Sequence, residues 1–331
     1  MKKVKFKLTF KRRLIQLYAA LLTNANIKGF ATGSVFKGST KAACVPGLNC
    51  YSCPGAVGAC PLGSLQNALA STKKSTLYYV VGIILLYSIM LGRWICGFLC
   101  PFGLLQDLLF KIKTPKLKKS RITRILSYFK YVLLLFFVIV IPLAYTFRDY
   151  PLPAFCKYIC PAGTIGGVVA LLVNSDNSEM HGALFTWKFA LAISIITGCI
   201  FVYRLFCRFI CPLGALYGIF NKISVLGIKL DKKKCVDCKL CVTKCRLDIK
   251  EIGDHECINC GECISVCPTK AISWKGEKII LPDNEIPKNA STEQQYAIEE
   301  KHKMRVFTLK IILASIMAAT LLFSLIYFNL F

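Results

Sequence analysis

Long apolar stretches recur through this chain, and they restrict its fold more than any other feature. A bilayer core of about 30 Å is crossed by a helix of about 20 mostly apolar residues. Within lipid only a helix or a closed barrel satisfies its own backbone polar groups. Four stretches have the required length and character: Leu77–Ile95, Ile125–Phe147, Ala183–Tyr203 and Val306–Phe328. A fifth, Leu14–Phe36, is interrupted by Asn24, Asn26 and Lys28. Pro142 falls inside the second stretch, where neighbouring helices can satisfy the carbonyl it frees. Of the 331 residues, 55% are hydrophobic, more than soluble domains carry. The expected fold is mainly α, a polytopic membrane protein of about five spans.

Charge fixes an expected topology. The chain has 43 Lys+Arg against 17 Asp+Glu, a net charge of +26. In an apolar chain such an excess marks cytoplasmic loops rather than a nucleic-acid partner. Residues 1–13 carry Lys2, Lys3, Lys5, Lys7, Lys11, Arg12 and Arg13 and no acid. Residues 111–130 carry Lys111, Lys113, Lys116, Lys118, Lys119, Arg121, Arg124 and Lys130, again with no acid. Both blocks are expected in the cytoplasm, so the chain must cross an even number of times between them and the interrupted stretch must cross too. That puts the N-terminus inside, 37–76 outside, 96–124 inside, 148–182 outside, 204–305 inside and the C-terminus outside. The expected organisation is a membrane domain with four spans (1–227), a cytoplasmic insert (228–275), a polar linker (276–305) and a C-terminal membrane helix (306–331), all in the cytoplasmic membrane.

Nineteen cysteines then need a role. Cys235-x2-Cys238-x2-Cys241-x3-Cys245 is followed by Cys257-x2-Cys260-x2-Cys263-x3-Cys267-Pro268. Three closely spaced thiolates wrap one corner of an iron–sulfur cubane, and the fourth comes from the other run. One [4Fe–4S] cluster is therefore expected on Cys235, Cys238, Cys241 and Cys267, and a second on Cys257, Cys260, Cys263 and Cys245. Zinc also uses paired C-x2-C, but the doubled run favours cubanes. Residues 235–268 resemble a bacterial two-cluster ferredoxin, which implies an inserted α+β domain. The departure from that family is Arg246, where it usually has Pro.

A second set lies in an internal repeat. Arg93-x2-Cys96-x3-Cys100-Pro101-x-Gly103 returns as Arg204-x2-Cys207-x3-Cys211-Pro212-x-Gly214. Cys followed by Pro suits a helix start, where the positive helix end stabilises a thiolate. A cluster on the inner face is expected from Cys96, Cys100, Cys207 and Cys211. Outside lie Cys44, Cys50, Cys53, Cys60, Cys156 and Cys160. Cys60-Pro-Leu-Gly-Ser-Leu-Gln66 echoes Cys100-Pro-Phe-Gly-Leu-Leu-Gln106, and Cys156-x3-Cys160-Pro161 repeats the x3 pair. The simplest outer ligand set is Cys53, Cys60, Cys156 and Cys160, with Cys50 as rival and disulfides as the alternative chemistry. Cys199, alone within a span, is read as a small hydrophobe. Gly97, Gly166 and Gly167 are read as packing or turn residues.

Together these motifs resemble the membrane polyferredoxins of the NapH/NosR type, in which two C-x3-C-P motifs end spans and two ferredoxin-type clusters follow on the cytoplasmic side. The outer cysteine group exceeds the smaller NapH pattern. The resemblance implies membrane-bound electron transfer. The expected flow joins a cytoplasmic donor (ferredoxin or flavodoxin) or quinol to an extracytoplasmic acceptor protein. The alternatives are a quinol dehydrogenase subunit using only inner-face clusters, or an assembly or redox-sensing membrane protein. No base or nucleophile needs to be invoked, and the chain reads as the electron-transfer component of an oxidoreductase system. Haem is excluded because His181, His255 and His302 do not sit centrally in spans and no C-x2-C-H occurs. Arg93 and Arg204 read equally as partners of an anionic cluster or as snorkelling cations. Lys232, Lys233, Lys234, Lys239, Lys244 and Arg246 make one face of the insert basic, suited to an acidic donor or to anionic lipid. A 30 Å core is a long gap for one electron hop. Either the inner and outer clusters are sunk toward each other, or a bound quinone or flavin bridges them.

Overall fold

The computed structural model describes residues 2–71, 74–117, 119–145, 152–173 and 182–275. The expected span at 306–328, the linker, His181 and His302 lie outside the described residues. Among the described residues, two helices are long and apolar enough to cross a bilayer, Arg121–Tyr145 and Ala183–Phe201. Both expose aliphatic and aromatic side chains, including Ile125, Leu135, Trp187 and Ile193. A face of this kind suits lipid rather than water. The first helix passes through Pro142 by widening into a π turn over Leu134–Val140, a distortion that accommodates the missing N–H.

Two of the expected spans are corrected. The stretch Leu14–Phe36 is not one helix. A helix runs over Lys2–Thr23, the chain breaks at Asn24–Asn26, and a short helix Ile27–Thr32 follows. The break has a local cause. Asn24 Nδ2 donates to the Ala20 carbonyl at 2.9 Å and Asn26 Nδ2 to the Pro54 carbonyl at 2.8 Å, so side chains replace the helical ladder. The stretch Leu77–Ile95 is likewise shorter as a helix, Lys74–Met90. Gly92 stops it by turning left-handed, φ +51°, which glycine does without steric cost.

The helix Lys2–Thr23 joins two levels of the molecule. Arg12 pairs with Asp107 at 3.0 Å. Eleven residues later, about 17 Å along the axis, the Thr23 carbonyl accepts from Asn49 Nδ2 at 2.9 Å and from the Val57 amide at 3.1 Å. The loop 44–60 therefore sits at the far end of this helix from Asp107.

The insert contains one antiparallel pair of strands, β1 (Gly227–Leu230) and β2 (Ile272–Lys275), with Gly227 opposite Lys275. The two cysteine runs between them share a backbone conformation. Asp237 and Asn259 have φ +49° and +51°, and Lys239 and Gly261 have φ +54° and +78°. Left-handed residues at matching places curl both loops the same way.

Candidate metal centres

Four of the six Cys-Pro pairs, at Cys60, Cys100, Cys160 and Cys211, occupy the same place in a helix. Cys60, Cys100 and Cys211 are N-caps in extended conformation (ψ 127°, 118° and 111°), each followed by Pro at the first helical position. Cys160 precedes the helix Pro161–Val173 in the same way. The glycine three residues on completes the motif. The amides of Gly63, Gly103, Gly163 and Gly214 donate to the sulfurs of Cys60, Cys100, Cys160 and Cys211 respectively. This is the N-cap hydrogen bond with sulfur as acceptor. At Gly103 and Gly214 the other half of the pair closes over the glycine. A β-carbon at Gly103 would stand 2.9 Å from the Cys96 carbonyl, and one at Gly214 would stand 3.2 Å from the Cys207 carbonyl.

The inner set converges as expected from the repeat. Cys96, Cys100, Cys207 and Cys211 line one cavity with Leu48, Ile95 and Tyr217, and all four are buried. The arginines of the repeat are buried rather than snorkelling, with Cys96 a charged neighbour of Arg93 and Cys207 of Arg204. Each crosses to the other copy: Arg93 Nη2 donates to the Cys207 carbonyl at 3.2 Å and Arg204 Nη1 to the Cys96 carbonyl at 2.6 Å. Arg204 is neutralised by Asp107 and Arg93 by Glu256.

Of the cysteines expected outside, Cys50, Cys60, Cys156 and Cys160 line one cavity, with Cys44 at its wall. Cys53 is not among its lining residues; its backbone packs against Gly166, where a β-carbon would stand 3.1 Å from the Cys53 Cα. Of the two alternatives for the fourth place, Cys50 lines this cavity and Cys53 does not. The replica of the inner motif explains why a loop cysteine is needed. Cys60 corresponds to Cys100, Phe155-Cys156 to Phe206-Cys207 and Cys160 to Cys211, but the counterpart of Cys96 is Ala56. Cys44 also lines the cavity and shares a hydrogen bond with Ser64.

Between the two cavities runs the loop 44–50, and Leu48 lines both. The Leu48 amide donates to Cys100 and the next amide, Asn49, to Cys60. Consecutive peptide groups thus touch one thiol of each tetrad. The two sets are sunk toward each other, and no bilayer-wide gap separates them.

In the insert, Cys245, Cys257, Cys260 and Cys263 line one pocket with Cys241, Leu247, Ile249 and Ile258. Cys241 has Cys238 and Cys235 as its charged neighbours. Cys267 receives the amides of Thr269, Ala271 and Ile272. Burial, reinforced by adjacent thiolates, pushes Cys245 up to about 12 and Cys257 up to about 11. Crowded buried thiols cannot all ionise unaided, and a cationic metal group relieves that cost. Among the described residues no three His, Cys, Asp or Glu side chains could hold a single metal ion.

The insert is held against the membrane part by buried ions. Glu256 lies between Arg93, at 3.1 Å, and Lys130. Asp254 accepts from Arg124 at 3.0 Å, and Asp248 pairs with Arg208. Burial raises the Glu256 carboxyl, but the Arg93 and Lys130 charges outweigh it and hold the group below its usual range. Gly97 is the contact point. A β-carbon there would stand 2.5 Å from the Ile258 carbonyl, so Cys96-Gly97 of the inner set abuts Cys257-Ile258 of the insert. The position matching Asp107 in the second copy is Gly218, and a β-carbon there would meet the His255 carbonyl at 3.0 Å. Glu256 of the insert serves Arg93 as Asp107 serves Arg204. Sequence reading missed these ion pairs because their members lie up to 163 residues apart.

Comparison with known proteins agrees with this chemistry. A family profile described as a 4Fe-4S binding domain matches three times, over 75–120, 130–175 and 183–233. A second profile of the same description matches 251–273. The protein MJ0749 of Methanocaldococcus jannaschii is 34% identical over 206 residues, 59% of this chain and 68% of the relative. Its neighbour MJ0750 is 30% identical over 65% of this chain and 85% of its own length. The putative electron transport protein YccM of Escherichia coli is 24% identical over 65% of this chain and 62% of its own. No solved structure matches.

Proposed function

The chain belongs to the 4Fe-4S ferredoxin-type membrane proteins related to NapH, NosR, NirI and YccM, and from that premise we propose that it conducts electrons across the membrane. It is an iron–sulfur electron-transport protein of ferredoxin type. In this reading the insert faces the cytoplasm and meets a ferredoxin, flavodoxin or quinol donor, and the acceptor is an extracytoplasmic protein. The exposed lysines Lys232, Lys233, Lys234, Lys239 and Lys244 suit an acidic donor.

Four thiol sets divide the work. Cys235, Cys238, Cys241 and Cys267 would hold one cluster, and Cys245, Cys257, Cys260 and Cys263 a second. Cys96, Cys100, Cys207 and Cys211 would hold a third, and Cys50, Cys60, Cys156 and Cys160 a fourth. When bound, [4Fe–4S] cubanes supply one-electron transfer at potentials set by charge, burial and hydrogen bonds to sulfur. The chain's own residues do the rest. Helix starts aim glycine amides at sulfur, and buried aliphatic and aromatic side chains exclude water. The Arg93–Glu256–Lys130 group holds the insert beside the inner set.

The observation that carries this reading is the Leu48–Asn49 peptide, whose two amides face Cys100 and Cys60. A quinol dehydrogenase using only inner clusters would need no such bridge and no outer tetrad. Two measurements test the proposal. Anaerobically purified protein should carry about 16 Fe and about 16 acid-labile sulfides per chain, and about 12 of each would reject the outer cluster. In vesicles with the insert facing outward, an impermeant low-potential donor added outside should reduce a trapped impermeant acceptor. No internal reduction with iron intact would reject conduction.

A further inference from the structure

Two buried glutamines stand in the same place at the two membrane tetrads. Gln106 Nε2 donates to Cys207 Sγ at 2.9 Å, and Gln66 Nε2 to Cys156 Sγ at 3.2 Å. Neither side chain has more than 1% of its surface exposed. In both cases the amide oxygen is committed elsewhere, which leaves only the N–H₂ to face sulfur. Gln106 Oε1 accepts the Phe206 amide at 3.1 Å, and Gln66 Oε1 accepts the Phe155 amide at 2.9 Å. These two phenylalanines immediately precede the sulfur-bearing residues. At the inner site the orientation is locked further, because Cys199 Sγ donates to Gln106 Oε1 at 3.6 Å. The lone mid-span cysteine therefore has a contact that accounts for its place. The second Nε2 proton goes to a carbonyl one turn back, Phe102 at 3.3 Å for Gln106 and Leu62 at 3.2 Å for Gln66. Every polar atom of both amides is used, and each glutamine has one bond to a proposed cluster ligand.

We propose that Gln106 and Gln66 are the positioning residues that set the reduction potentials of the inner and outer membrane clusters, each through one amide hydrogen bond to a ligand sulfur. This rests on the four-cluster reading above. With both clusters bound, passage of one electron from the inner to the outer would oxidise the first and reduce the second, with no proton or bond exchanged. The free energy of that step is the difference of the two potentials. A hydrogen bond to sulfur favours the more negative, reduced state. Its loss must lower the potential of the cluster it touches and leave the other nearly unchanged.

The test is redox titration followed by electron paramagnetic resonance, on the full chain in lipid nanodiscs. Gln106→Met and Gln66→Met remove the donor at similar volume. Gln106→Glu and Gln66→Glu keep an acceptor for the phenylalanine amide and remove the N–H₂. Each variant should keep wild-type iron and sulfide. In each, one signal alone should shift, the reduced-to-oxidised ratio at fixed potential falling about tenfold, ~59 mV for one electron. The Gln106 and Gln66 variants must shift different signals. Unchanged potentials at full iron content, equal shifts in both signals, or loss of iron from both substitutions at a site would overturn the proposal. If the wild type itself shows no outer-cluster signal and about 12 Fe, the four-cluster reading fails, while the Gln106 pair still decides the role of the glutamine at the inner site.

Discussion

Arg204 grips Asp107 through two hydrogen bonds, Nε to Oδ1 at 2.7 Å and Nη2 to Oδ2 at 2.8 Å, where neither group meets solvent. Arg12 joins the same carboxylate. Arg204 also adopts φ +52°, a left-handed conformation that costs a non-glycine residue about 1–2 kcal/mol and persists because its surroundings hold it. Asp107 thus ties the N-terminal helix, the first Cys-Pro helix and the second repeat together. Asp107→Asn leaves two buried cations without a counter-charge, which should cost about 3–5 kcal/mol. The melting temperature in detergent should fall by several degrees. A change too small to resolve would show that water reaches the site.

Cys50 and Cys53 separate cleanly by iron content. Cys50→Ala should remove about 4 Fe and 4 sulfides per chain, whereas Cys53→Ala should leave the content unchanged. The reverse pattern would restore Cys53 as the ligand.

Gly97→Ala tests the contact between the insert and the inner set. The added methyl group collides with the Ile258 carbonyl, a backbone atom that cannot rotate away. The cysteine ligands are untouched, so iron content should hold. Reduction of the membrane clusters through the insert should slow severalfold in stopped-flow spectroscopy, and an unaltered rate would remove this contact from the electron path.

Docking of the insert should depend on pH through Glu256. Its carboxyl is held below the ordinary value of about 4.3 by Arg93 and Lys130, against the opposing effect of burial. A depressed folded-state value means that the stabilisation is fully present above the ordinary value and is lost as pH falls through the depressed one. Hydrogen exchange at residues 251–259 should therefore be slow at neutral pH and accelerate only below about pH 4. Glu256→Gln removes the charge at all pH values. It should raise exchange already at pH 7, and equal protection in the two proteins would refute the role.

Much of this was legible from residue spacing. The doubled ferredoxin run, the 93–103 repeat at 204–214 and the Cys-Pro helix starts are local patterns, because an N-cap, its proline and its glycine amide lie within four residues. The echo of Cys60–Gln66 in Cys100–Gln106 is visible too, and it points to Cys60 and the Cys156/Cys160 pair as one set. Apolar length was a weaker guide. It places Arg121–Tyr145 and Ala183–Phe201 well, but it does not register that Asn24 and Asn26 divert the first stretch or that Gly92 ends the next. Side-chain hydrogen bonds and one left-handed residue override hydropathy there.

By itself the sequence determined which thiols travel together as pairs, since pair geometry is set by helix turns. Only the tertiary structure decided which pairs meet and how far apart the meeting places lie. That Cys50 lines the cavity and Cys53 does not depends on the loop 44–60 folding back between the tetrads. That path is fixed by bonds from Asn49 to Thr23 and from Tyr217 to Pro46, partners 26 and 171 residues apart. The seat of the insert depends on Glu256 finding Arg93 and Lys130. Contacts between residues so far apart leave no periodicity in the chain, because they record the energy of burying compensated charge in a common interior rather than any local preference of the backbone.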